Sequence, residues 1–119
     1  MLEITDAGRT VTGAFVAFDI RWEGAPSEPD TATWSMAISE GDETVHLVYA
    51  RREGAFVAQY VDDATTGRRI DVDENADLRD CEITIRFPVD VVGVAVEWPA
   101  WKASLAVPGE ETATSVVTG

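Results

Sequence analysis

Asp71, Asp73, Asn75 and Glu82 occupy positions 1, 3, 5 and 12 of a twelve-residue stretch. That is the spacing with which an EF-hand loop offers hard oxygen ligands to calcium. Three features oppose a full EF-hand. Position 6 is Ala76, where the sharp turn favours glycine. The preceding "DDATTGRR" contains Gly67 and two threonines, a poor entering helix, and the following "CEITIRF" alternates as a strand. A looser calcium site at a hairpin tip, made by Asp71, Asp73, Asn75 and Asp77, stays open. The competing reading is an exposed acidic turn, since Asp and Asn favour turns.

Other reactive groups are few. His46 is the single histidine and alternates out of phase with Val45, Leu47 and Tyr49, so no Ser-His-Asp arrangement is legible around it. Cys81 is the single cysteine; it cannot form an internal disulfide or a cysteine-rich zinc site, and it reads as a small buried hydrophobe. With 22 carboxylates in the chain, finding a pair at glycosidase spacing carries no information. These residues predict no catalysis. Trp98, Trp101 and Lys102 lie in "VEWPAWKASL", where Pro99 interrupts a strand. Aromatic faces at a strand end can stack on sugar rings, with Lys102 as a donor. The alternative is two large hydrophobes closing the end of the fold.

The elements that must position these groups have a period of two. Val16, Phe18, Ile20 and Trp22 share a face, as do Ala32, Trp34, Met36 and Ile38, then Val45, Leu47 and Tyr49, then Cys81, Ile83, Ile85 and Phe87. Such alternation marks half-buried strands. "VGVAVEW" reads the same way with Val92, Val94, Val96 and Trp98 on one side, its valines and Gly93 opposing a helix over Val89 to Val96. "AFVAQYV" is apolar on both sides and predicts a more central strand. Turn-forming stretches such as "EGAPSEPD", "SEGDE", "RREGA" and "TTGRR" separate these runs. Seven or eight strands in one domain over residues 1–107 predict an all-β antiparallel sandwich, with a closed β-barrel as the alternative. Residues 108–119, rich in Thr and small side chains, predict a flexible tail or linker in which Val116 and Val117 could add a short strand.

Charge limits the partners. Nine Lys and Arg against 22 Asp and Glu leave a formal net charge of −13. Such a surface repels nucleic-acid phosphates and anionic membranes. Acidic excess with a single lysine resembles the proteins of salt-loving organisms, in which screening relieves self-repulsion. No apolar run is long enough to span a membrane as a helix, so no membrane insertion is expected. The opening "MLEITDAGRT" shows no basic or apolar leader region, as a mature or trimmed domain also would not.

In outline, the succession "AFVAFDIRW", "TATWSMAIS", "VHLVYARREGAFVAQYVDDATTGRR" and "CEITIRFPVDVVG", from Phe15 to Gly93, resembles small secreted prokaryotic β-sandwich modules of the DOMON-like and immunoglobulin-like kind. The resemblance implies a non-catalytic accessory domain of an extracytoplasmic protein, with a protein or carbohydrate as partner. Haem-binding relatives of that kind use a Met and a His. The corresponding candidates are Met36 and His46, although Met36 shares the inward face with Trp34 and His46 does not. A cavity-bearing barrel that binds or transforms a small molecule, lined by Trp34, Tyr49 and Tyr60, is the alternative. A self-assembling structural subunit that pairs through edge strands is a further one.

Overall fold

The computed structural model describes residues 2–118, the side chains of 115–118 excepted. Ten strands form two antiparallel sheets. The four-stranded sheet has the order β1 (Glu3–Thr12), β2 (Phe15–Glu23), β8 (Glu82–Pro88), β7 (Ala76–Arg79). The six-stranded sheet has the order β10 (Ala113–Thr118), β9 (Ala100–Ala106), β3 (Ala32–Glu40), β4 (Glu43–Arg52), β5 (Ala55–Asp63), β6 (Arg68–Asp71). The sheets pack face to face as a sandwich. β1 lies beside β10 along one side, but no ladder joins the two sheets, so the barrel does not close.

The two-residue alternation decides what lies between the sheets. Val16, Phe18, Ile20 and Trp22 of β2 and Ile83, Ile85 and Phe87 of β8 face Trp34, Met36 and Ile38 of β3, Leu47 and Tyr49 of β4, and Trp101, Ala103 and Leu105 of β9; all are buried. Phe18 packs edge-on against both Phe87 and Trp101, with centroids 6.2 and 5.1 Å apart. Such contacts add to the burial of large apolar area that drives folding.

Four local features differ from, or add to, what alternation predicts. Val89–Val92 forms a single helical turn, α1, and Gly93–Glu97 continues as a 3-10 turn, where alternation predicted a strand. Both neighbours of β8 are already occupied by β2 and β7, so the chain must leave the sheet at Pro88 and cross to β9. Pro88 has φ −61°, suited to entering a helix, and Gly93 at φ 70° ends the turn. Val92 and Ala95 are buried, whereas Val94 is 75% exposed. Second, β1 is a strand that alternation does not announce: it lies at an edge, and a bulge between Ile4 and Asp6 breaks its phase. Third, the apolar excess of "AFVAQYV" does not reflect burial on both faces. β5 is flanked by β4 and β6, but Phe56 and Val57 are exposed beside a bulge between Ala50 and Arg51. Fourth, the stretch 108–119, expected as a tail, contains β10, which pairs along β9 from Ala113↔Leu105 to Thr118↔Ala100. Among the described residues no helix is long and apolar enough to cross a membrane.

Candidate ligand-binding groove

The outer face of the four-stranded sheet carries the residues that alternate away from the core. β2 offers Phe15, Ala17, Asp19 and Arg21; β8 offers Glu82, Thr84 and Arg86; β7 offers Asp77 and Arg79. Their charges are tied into a ladder. Arg79 donates to Glu82 (3.2 Å) and to the Thr84 hydroxyl (2.8 Å). Thr84 donates in turn to Asp19 at 2.5 Å. Arg21 donates to the other oxygen of Glu82 (2.9 Å), and Arg86 to Asp77 (3.3 Å). The hydrogen bonds from Arg21 and then Arg79 hold the Glu82 carboxyl below its ordinary range.

A depression of about 480 Å³ opens on this face, lined by Thr10, Thr12, Phe15, Ala17, Asp19, Thr84 and Arg86. Strand register explains it. Thr10 pairs with Ala17, and Gly8 with Asp19, so three of the smallest side chains lie together between taller neighbours. A second recess of about 250 Å³, lined by Asp73, Glu74, Asn75 and Pro88, shares Phe15 and Arg86 with the first. The two adjoin at these shared residues, one on the sheet and the other toward the crossover between β6 and β7, and are together termed the groove. At their junction stands the Phe15 ring, 40% exposed.

Buried polar groups hold that crossover. Gln59, 1% exposed, donates to the Arg86 carbonyl (2.7 Å) and accepts from the Asn75 amide (2.8 Å). The Arg86 amide donates back to the Asn75 carbonyl (2.9 Å), and the Val72 amide to the Gln59 carbonyl (2.9 Å). Tyr49 donates its hydroxyl to Glu74 (2.6 Å) and accepts from Arg51 (3.2 Å). Burial, reinforced by the bond to Glu74, pushes the Tyr49 hydroxyl pKa up. Asp73 makes no hydrogen bond or ion pair among the described residues, so its carboxylate is available at the groove.

The tryptophan site expected at the strand end does not assemble. Trp101 is 3% exposed and packed on Phe18, so it presents no face to a ligand. Arg9 donates to the Trp98 carbonyl (2.7 Å), and its guanidinium lies 5.8 Å from the centre of the Trp101 ring. Lys102 alternates to the opposite side of β9, exposed on the outer face of the six-stranded sheet. Two large hydrophobes closing the sandwich describe this pair better than a stacking platform.

The acidic stretch is not a hairpin tip. Asp71 ends β6 in one sheet and Asp77 lies in β7 of the other, so a sheet-to-sheet crossover splits the ligand spacing. Asp71 pairs with Arg69 (3.0 Å), Asp77 with Arg86, and Glu82 with two arginines at the far end of β8. Asp73 and Asn75 line the groove instead. Among the described residues no group of three or more His, Cys, Asp or Glu is arranged to hold a metal ion. Met36 and His46 do not converge either: Met36 is in the core, while His46 pairs with Ala37 on the outer face. Cys81 is not in a strand but at φ 56° in the turn between β7 and β8, partly exposed. Desolvation, then Asp80 and Glu23, pushes its thiol pKa up, which makes it a poor nucleophile.

Phe15 was the legible signal that alternation alone passes over. It is an aromatic residue one step out of phase with the inward Val16 and Phe18, at the start of an otherwise polar face. Thr10, Thr12 and the Asp73–Asn75 segment join it only through strand register and the crossover. Comparison of the chain with family models, with curated proteins and with solved structures found no match in any of the three.

Proposed function

We propose that the chain is a non-catalytic binding module, an accessory domain of an extracytoplasmic protein, and that it holds a neutral carbohydrate in the groove at Phe15. The observation that carries this is the composition of that groove. An aromatic ring stands beside carboxylates (Asp19, Asp73, Glu74), an amide (Asn75), hydroxyls (Thr10, Thr12) and a guanidinium (Arg86). Each sugar hydroxyl both donates and accepts, so adjacent hydroxyls suit carboxylate, amide and guanidinium groups. The C–H face of a sugar ring suits an exposed aromatic ring. The carboxylates of Asp19, Asp73 and Glu74 in the groove walls favour a neutral ligand there over an acidic one. A catalytic chamber would need Trp34, Tyr49 and Tyr60 around a common space. In this chain Trp34 and Tyr49 are packed in the core, and Tyr60 lies under the Arg69 guanidinium at 3.7 Å. Pairing of edge strands between copies would face β6 and β7, short edges that carry ion-paired charges, and β1 and β10, which lie beside each other.

The test is titration of the isotope-labelled protein with a panel of neutral oligosaccharides, followed by NMR. Amide shifts are expected at Phe15, Ala17, Asn75 and Arg86, and Phe15→Ala should weaken binding about tenfold or more, the loss of roughly 1.4 kcal/mol. Binding of equal strength by Phe15→Ala, or no saturable shift with any member of the panel, would refute the proposal.

A further inference from the structure

A second opening shares no residue with the groove. It has a volume of about 130 Å³ and is lined by Val45 and Val61 from the inner face of the six-stranded sheet, Ile70 of β6, and Val91 and Val92 of α1. A single helical turn covers this end of the sheet, and the aliphatic side chains leave the gap between them. The volume is close to that of an engineered apolar cavity of about 150 Å³ that admits benzene. The five aliphatic side chains leave room for one branched or aromatic hydrocarbon group and nothing much larger, and the rest of the lining is polar.

The rim is polar and asymmetric. Asp63 and Arg68 stand there, opposite each other across the β5–β6 ladder. Asp63 Oδ1 accepts from the backbone amides of Thr65 (3.0 Å) and Thr66 (3.3 Å), which commits that oxygen to the turn. The exposed Arg68 side chain makes no hydrogen bond or ion pair among the described residues. In the same chain Arg21, Arg51, Arg69, Arg79 and Arg86 each pair with a carboxylate. Arg52 also makes no ion pair among the described residues, so what sets Arg68 apart is its place beside aliphatic side chains, where a guanidinium can hold a carboxylate.

We propose that this opening binds a small monocarboxylate with a branched or aromatic body. The hydrocarbon group fills the space among Val45, Val61, Ile70, Val91 and Val92, and the carboxylate takes the Arg68 guanidinium at the rim. The apolar contact supplies affinity and the charge-assisted hydrogen bonds supply selection for an acid.

The experiment uses the methyl-labelled 119-residue chain, titrated at constant pH and ionic strength with isovalerate and benzoate and, separately, with isovaleramide and benzamide. Saturable shifts of the Val61, Ile70 and Val92 methyls are expected with the acids, at lower concentration than with the amides. Arg68→Gln, an exposed substitution that leaves the core intact, should weaken binding of the acids about tenfold or more and leave the amides unchanged. Three results would each overturn the proposal: no saturable methyl shift at millimolar acid, amides binding as tightly as acids, or unchanged acid binding by Arg68→Gln. Because Phe15 and its neighbours take no part, failure here leaves the groove proposal standing, and the reverse.

Discussion

Replacing Gln59 by Leu tests how the two sheets are held in register at the crossover. The side chain is almost fully buried, projects from β5, and bonds to both the Arg86 carbonyl of β8 and the Asn75 amide of the crossover. Leucine nearly preserves the volume but can neither donate nor accept. It would leave one carbonyl and one amide short of a partner, at about 1–3 kcal/mol for each orphaned group. The Arg86 carbonyl has a second lone pair that could find water, and the added apolar burial returns roughly 1 kcal/mol. The expected net loss is about 2–4 kcal/mol. At roughly 4 °C per kcal/mol for a domain of this size, the melting temperature should fall by about 8–16 °C. Urea unfolding gives the free energy and hydrogen exchange gives the location. The Asn75 amide should lose protection before the amides at the centre of β3. A loss below about 1 kcal/mol, or unchanged protection at Asn75, would refute the view that Gln59 holds the crossover.

Two further outcomes follow from the turns and the charges. Glu53 and Gly54 join β4 to β5 with φ 52° and 78°, the left-handed pair that favours Asn-Gly. Glu53→Asn should therefore add about 0.5–1 kcal/mol, seen as a higher urea midpoint with an unchanged slope; a lower midpoint would show that turn strain is not what Glu53 contributes. Glu82 has a folded-state pKa lowered by Arg21 and Arg79, so its stabilisation is present above the unfolded carboxyl pKa and is lost as pH falls through the folded value. The stability gap between wild type and Glu82→Gln should be full at neutral pH and shrink as the solution is made more acidic than that folded value. A gap independent of pH, measured by urea unfolding from neutral to acid, would sink that reading.

What the sequence by itself determined was the inside of the sandwich. Alternation along β2, β3, β4 and β8 named residues such as Phe18, Trp34, Met36, Leu47 and Ile85, and all of them are buried. A half-buried strand must separate its apolar from its polar side chains every second residue, so the chain records that choice locally. The same logic placed His46 and Arg86 outward and Met36 inward. Only the tertiary structure decided the rest. "VVGVAVEW" alternates as a strand, yet both edges of β8 were taken, so it turns as a short helix and crosses the sandwich. The oxygens of Asp71, Asp73, Asn75 and Asp77 are spaced like a calcium loop, yet the chain changes sheets between them and the charges of Asp71 and Asp77 are met by Arg69 and Arg86. Trp101 sits near a proline as a surface aromatic might, but the register of β9 turns it onto Phe18. The groove at Phe15 and the opening at Arg68 each gather residues from strands far apart in the chain. Which side chains meet there depends on strand order and register, quantities set by how the whole core packs rather than by any local run of residues.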